Sequence, residues 1–183
     1  MTLDYKRLKI PELILIQSKI FHDERGFLME RYKQSDFEEI GLPPFVQDNY
    51  SVSKKGVIRG LHIQREPFAQ GKLVFVVAGK VWDVAVDVRK GSSTFGQWQG
   101  VELSDENNLS FYIPPGFAHG FSVLSPKASF FYKCTAEYSP EHEYGVRFDD
   151  PDLAIDWKVV DPILSTKDME WPKIKSIELF TRV

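Results

Sequence analysis

Four histidines occur in this chain: His22, His62, His119 and His142. A free imidazole titrates near ~6.5, so histidine is the side chain best matched to moving a proton at neutral pH. His22 and His142 sit in polar stretches and read as solvated. His62 and His119 lie inside apolar, strand-like segments, close to Gly60 and Gly120. A histidine in a strand is more often a satisfied structural side chain than a base, so position alone assigns neither a role. A metal site of the His-x-His-plus-carboxylate kind does not fit. In Arg59-Gly60-Leu61-His62-Ile63-Gln64 the second ligand position holds Gln64, a poor ligand. No metal is expected.

Three basic residues stand among apolar neighbours or in a tight turn. Arg59 lies between Ile58 and Gly60, Lys72 precedes "LVFVVAG", and Arg25 sits in "DERGF". Surface lysines and arginines are ordinary. Arg59 and Lys72, however, flank buried-looking strands, where a charge is costly unless it meets an anion. Convergence of such groups would suit a phosphate-bearing small molecule. No glycine-rich phosphate loop is present, so side chains would have to hold the phosphates. Tyr132, in "SFFYKC", would pass for core, but a tyrosine hydroxyl in a pocket can serve as a general acid. With a histidine base on the other side of a substrate it would suit proton transfer at a carbon beside a carbonyl. A lysine would stabilise the enolate oxygen. Asp168, in "LSTKD", could hold the tautomer of His62 if the tail folds back over the body of the protein.

The elements that must position these residues are mostly short strands. Leu13–Ile16, Phe27–Tyr32, Phe45–Ser53 and Val57–Gln64 read as strands, and Leu73–Ala78 reads as one buried on both faces. Val81–Val88 alternates Trp82, Val84, Val86 and Val88 with Asp83 and Asp87. Val101–Leu103, Leu109–Ile113, Gly120–Leu124 and Ser129–Thr135 complete the series. Strands at this spacing with Gly/Pro turns indicate an all-β sandwich or barrel. One early helix is expected, with Ser35 and Glu38 as a capping box and Gly41 and Pro43 as its stop. Beyond Pro140 the chain reads as loops and short helices packed over the β core. On an ideal strand Arg59 and His62 point to opposite faces, unless Gly60 marks a bulge.

Composition narrows the function. A chain of 183 residues with 43% hydrophobic and 14% aromatic content can bury a core, and the length fits one domain. Net charge is −3, against the basic surplus of a nucleic-acid-wrapping protein. One cysteine, Cys134, excludes an intrachain disulfide and a Cys-rich zinc site. Met1–Ile10 is polar, and the longest apolar run, Leu73–Ala78, falls far short of the ~20 residues of a membrane span. The expectation is a cytoplasmic protein with no membrane contact.

Several long segments together resemble one family. They are "DERGF" (23–27), "QDNYSVSKKGVIRGLHIQ" (47–64), "QGKLVFVVAGKVWDVAVDVR" (70–89), "STFGQW" (93–98), "IPPGFAHGF" (113–121), "YKCTAEYSPEHEYG" (132–145) and "LSTKD" (164–168). In this order, over nearly the whole chain, they resemble the dTDP-4-dehydrorhamnose 3,5-epimerases, nucleotide-sugar epimerases of the cupin-like jelly-roll class. The resemblance implies an all-β jelly roll, or double-stranded β-helix, with short helices and a loop-rich C-terminal segment. It implies one domain over 1–183: an N-terminal dimer arm (1–45), a jelly-roll core (46–138) and a C-terminal segment (139–183).

It also implies a cofactor-independent reaction. The substrate would be dTDP-4-dehydro-6-deoxy-D-glucose, inverted at C3 and C5 beside the C4 ketone, in dTDP-L-rhamnose biosynthesis. On this resemblance His62 is the base, Asp168 its partner, Tyr132 the acid on the opposite face and Lys72 the stabiliser of the C4 oxyanion. Arg59 and His119 would contact substrate. Arg25, Phe27, Glu30, Gln47, Asp48, Asn49, Glu143 and Lys167 would line the nucleotide-sugar site. A homodimer is implied, the N-terminal segment crossing to the partner. Alternatives are a C5-only or C3-only epimerase or a ketoisomerase of another deoxysugar, a nucleotide-sugar-binding jelly roll without catalysis, and a metal-dependent oxygenase, against which Gln64 speaks.

Overall fold

The computed structural model describes residues 3–176. One sheet has six strands in the order β1 (Leu3–Arg7), β2 (Ile14–Ser18), β10 (Leu109–Ile113), β7 (Lys72–Ala78), β12 (Lys127–Cys134) and β5 (Gln47–Lys54). The second has five, in the order β13 (Glu143–Gly145), β6 (Ile58–Gln64), β11 (Phe117–Val123), β8 (Lys80–Asp87) and β9 (Trp98–Ser104). A hairpin of β3 (Ile20–Asp23) and β4 (Gly26–Met29) stands apart from both. Neighbouring strands within each sheet run antiparallel. Among the described residues the two α-helices, α1 (Gln34–Glu39) and α2 (Thr166–Glu170), are short.

Period-two alternation explains how the sheets pack. Val74, Val76, Phe111, Ile113, Ala128 and Phe130 of the six-stranded sheet meet Val81, Ala85, Leu103, Phe121 and Val123 of the other. The result is a jelly-roll sandwich around one apolar interior. The opposite parity of β8 brings Val84 and Val86 into a second cluster, covered by Leu153, Trp157 and Ile174 of the C-terminal segment. That segment is therefore anchored by apolar burial, at roughly 1.5–3 kcal/mol per fully buried large side chain. A third cluster sets Phe37, Ile40 and Leu42, from α1 and the turn after it, on Ile14, Ile16, Leu73 and Tyr112.

Several expectations need correction. The chain enters α1 earlier than the Ser35–Glu38 box requires. Lys33 is the N-cap, in extended conformation and without a side-chain capping bond, and Asp36 in the first turn pairs with Lys33 at 3.2 Å. The stop is as expected: Gly41, at φ +82°, donates to the Glu38 carbonyl at 2.9 Å. The strand 73–78 is covered on both faces only through Val76. Val77 is 53% exposed, because none of the described residues forms a layer outside the six-stranded sheet there. Asp83 and Asp87, which alternate with the apolar residues of β8, are both fully buried and share the inward parity of Val81 and Ala85. His22 is exposed, but His142 is half-buried, its ring 4.7 Å from that of Phe68.

Candidate active site

The question of parity at Arg59 and His62 is answered by a bulge. Along β11, His119 pairs with His62 and Phe121 pairs with Arg59, so two steps on one strand face three on the other. The extra residue turns Arg59 and His62 to the same side, where both line one cavity, Arg59 exposed and His62 half-buried. Gly60 makes the bulge sterically feasible. Its φ is +131°, and a Cβ there would lie 2.5 Å from the Gly120 Cα, so only glycine fits.

His62 lines a cavity of about 350 Å³ between the sheets at one end of the sandwich. Gln47 and Asn49 of β5, Lys72 of β7 and Tyr132 of β12 line it from the six-stranded sheet; Gln64, Glu143 and Lys167 line it from the other side. A neighbouring cavity of about 420 Å³ holds Arg59, Ser165 and Asp168 and shares His62, Glu143 and Lys167. Those shared residues form the wall between the two. Glu143 and Lys167 bridge it as an ion pair at 2.5 Å.

Asp168 is delivered by α2. Ser165 caps the helix and accepts from the Asp168 N–H at 3.2 Å. That holds the first turn of α2 against β6, where Asp168 Oδ1 lies 2.6 Å from His62 Nε2. Burial pushes the Asp168 pKa up, but bonds from His62, Ser165 and the Gly60 N–H outweigh it and hold the group below the usual carboxylate range. An ionised Asp168 takes its bond from Nε2–H, which leaves Nδ1 as the basic nitrogen of His62.

On the facing wall, burial pushes the Tyr132 hydroxyl up, opposed by Arg59, so it keeps its proton at neutral pH. Burial pulls the Lys72 ammonium down, opposed by Cys134, Asp83 and Glu143. A histidine paired with a carboxylate, and a protonated phenol and a lysine on the facing sheet, make a site able to take a proton from carbon, hold an enolate and return a proton.

Not every residue named from the sequence reaches this place. Asp48 falls on the outer side of β5, between the inward Gln47 and Asn49, and pairs with Lys133 at 2.6 Å. His119 is buried beside the cavity and bonded to Asp83 at 3.0 Å rather than open to it. Arg25 is 87% exposed and paired with Asp23 on the β3–β4 hairpin. Phe27 and Glu30 are also exposed, and none of Arg25, Phe27 and Glu30 lines either cavity. Gln70 and Tyr138, not singled out in the sequence, do line the first cavity. Tyr138 donates to the Glu143 carboxylate, which raises the tyrosine to about 12. Its signal was an aromatic in the polar, loop-rich stretch after β12. Gln64 spends its amide on loop backbone, donating to Phe68 O at 2.7 Å and accepting from Ser139 N–H at 2.7 Å. Among the described residues no group of three or more His, Cys, Asp or Glu converges.

Residues 7–176 match the family model described as dTDP-4-dehydrorhamnose 3,5-epimerase. A dTDP-4-dehydrorhamnose 3,5-epimerase of Shigella flexneri is 51% identical, over 95% of this chain and 97% of that one. The crystal structure of a dTDP-6-deoxy-D-glucose-3,5-epimerase from Legionella pneumophila, in complex with dTDP-4-keto-L-rhamnose, superposes with a TM-score of 0.93. It is 51% identical and covers 96% of this chain and 95% of its own. A 3'-monoepimerase from Streptomyces bikiniensis, in complex with dTDP-quinovose, shares the fold at a TM-score of 0.89. There identity is 34%, over 93% of this chain and 88% of that one.

Proposed function

Because this chain belongs to the dTDP-4-dehydrorhamnose 3,5-epimerase family, we propose that the cavity between β6 and β12 is where it inverts C3 and C5 of dTDP-4-dehydro-6-deoxy-D-glucose, a step of dTDP-L-rhamnose biosynthesis. The single observation that carries this assignment is the His62–Asp168 pair across the cavity from Tyr132, with Lys72 lining the same space.

The chemistry follows from these groups. The C4 ketone acidifies the protons on C3 and C5. Nδ1 of His62 takes the proton, and the C–H electron pair moves into the enolate. The charge gathers on the C4 oxygen, where the Lys72 ammonium stabilises it. Tyr132, held protonated, returns a proton from the opposite face, so the carbon leaves inverted. Each step is a proton transfer. His62 then gives its proton to water and the Tyr132 phenolate takes one from water before the second carbon reacts, so the sum is an isomerisation that balances without a redox partner or cofactor. Arg59 and Lys167, at the neighbouring cavity, suit the diphosphate, and Gln47, Asn49 and Glu143 suit the sugar and base. The diphosphate charge keeps such a substrate in the compartment where it is made, consistent with a cytoplasmic enzyme.

We read 1–183 as one catalytic domain that works as a homodimer. The exposed hairpin carrying Arg25, Phe27 and Glu30 would serve the partner's cavity. An apolar outer face on the six-stranded sheet, with Tyr50, Val52 and Val77 exposed, suits the contact.

The test is incubation with dTDP-4-dehydro-6-deoxyglucose in heavy water, followed by proton NMR. Loss of both the C3 and C5 signals is expected. Exchange at one carbon would make this a monoepimerase, and binding without exchange would remove the enzyme reading. His62→Ala should slow exchange by at least ~100-fold, the scale of a lost general base.

A further inference from the structure

Beside the proposed base lies a second imidazole–carboxylate pair that the reaction as described does not use. Asp83 interrupts an apolar strand, and its parity with Val81 and Ala85 turns it into the sandwich. Its side chain has no solvent exposure, and both carboxylate oxygens lie 3.0 Å from His119 Nε2. A single N–H donor does not balance a buried carboxylate. Burial pushes the Asp83 carboxyl up, and His119 first, then Lys72, oppose that shift and favour its charge. Lys72 itself has no hydrogen-bond or ion-pair partner among the described residues.

The groups acting on Lys72 are few. Cys134 of β12, Asp83 of β8 and Glu143 of β13 favour its charge, and His119 of β11 feels it in turn. Burial holds the Cys134 thiol above its usual value, hence neutral. Glu143 is already bonded to Lys167 and Tyr138. Asp83 is the remaining carboxylate, and it is bonded to no lysine or arginine. His119 stands directly opposite His62 in the β6–β11 register, so this pair and the His62–Asp168 pair are adjacent on one wall.

We propose that Asp83 is a positioning residue of the oxyanion site: it holds His119 as the Nε2–H tautomer and supplies the buried counter-charge that keeps Lys72 an ammonium. This rests on the epimerase reading of the cavity. The consequence has a definite sign in pH. Burial already lowers Lys72 and Asp83 opposes that shift. Removing the Asp83 charge makes Lys72 lose its proton at lower pH, and the alkaline limb of activity moves down with it.

The test compares Asp83→Asn with Asp87→Asn, in the full chain, by exchange rate against pH. Asp87 lies on the same strand, equally buried, but is bonded to Arg89, Ser92 and Thr94. Asp83→Asn is expected to lower kcat at least ~10-fold, leave KM within about twofold and move the alkaline limb down by at least about half a pH unit. Asp87→Asn should lower Tm and leave the limb in place. An unmoved limb in Asp83→Asn, whatever its kcat, overturns the proposal. Should that variant not fold, imidazole nitrogen NMR of the unaltered protein decides. A neutral His119 protonated on Nε2 at pH 7 supports the assignment, and an Nδ1–H tautomer or an imidazolium overturns it. Absence of exchange in the unaltered enzyme would instead sink the epimerase reading, and the oxyanion role with it.

Discussion

At the scale of single residues, the division of labour between His62 and Tyr132 can be separated by experiment. Removing a proton and returning one from the other face are different events, and NMR in heavy water reads both. Tyr132→Phe keeps the ring in its place and removes only the hydroxyl. Inverted product should form at least ~100-fold more slowly, while exchange of the carbon-bound proton falls less. Equal loss of both would move the acid elsewhere. Asp168 carries a linkage prediction. Its folded pKa lies below the ordinary ~3.9, so its contribution to stability is complete above that value. It is lost as pH falls through the lowered one. Asp168→Asn should therefore cost ~1.5–3 kcal/mol near pH 7, the scale of a charge-assisted hydrogen bond. The difference between the two proteins should close as pH falls through that lowered value, which denaturation at a series of pH values would show. A constant gap would mean that Asp168 acts by packing alone.

At the scale of elements, the β6 bulge decides whether Arg59 and His62 can share a side. A Cβ on Gly60 would meet the Gly120 Cα at 2.5 Å and the His119 carbonyl oxygen at 2.8 Å. Both are backbone atoms, so the strands must part. Gly60→Ala should cost at least ~1–3 kcal/mol, as overpacking does, and should lower kcat as His62 moves from Asp168. Urea denaturation with assay checks it, and unchanged stability would mean that the register can slide. Much of this architecture was legible in advance. Leu109–Ile113 matched its strand residue for residue, and the other core strands were displaced by a few residues, because alternation and Gly/Pro turns are local signals. The bulge was only one of two readings of Gly60, since pairing with β11 is a long-range fact. Asp48, expected at the site on the resemblance, faces outward because alternation along its strand sets it opposite to Gln47 and Asn49. The short β1, β3 and β13 escaped because polar or brief segments take their strand character from a partner. Asp168 was recognisable as a residue type, but its contact with His62 spans 106 positions and depends on apolar anchoring of the C-terminal segment.

At the scale of the whole molecule, the open matter is where the hairpin works. Arg25, Phe27 and Glu30 are expected at the nucleotide-sugar site on the resemblance alone, and they line neither cavity of their own chain. Phe27 and Leu28 are exposed by 56% and 70%, which is costly for a hairpin in water and suits one lying on another subunit. In a twofold dimer each site would combine His62 and Asp168 of one chain with the partner's Arg25. Arg25→Ala should then raise KM severalfold with little change in the His62 chemistry, because it removes a phosphate contact and not the base. The arrangement has a sharper consequence. His62→Ala protein lacks the base but keeps its hairpin, and Arg25→Ala protein is the reverse. Equal amounts of the two, unfolded and refolded together, should form hybrid dimers with one intact site each. Random pairing makes half of the dimers hybrids, so activity at low substrate should recover to roughly a quarter of the unaltered enzyme's. If each hairpin instead folds back on its own cavity, every site in the mixture carries one lesion. Activity then stays at the average of the two parents, and the homodimeric site is excluded.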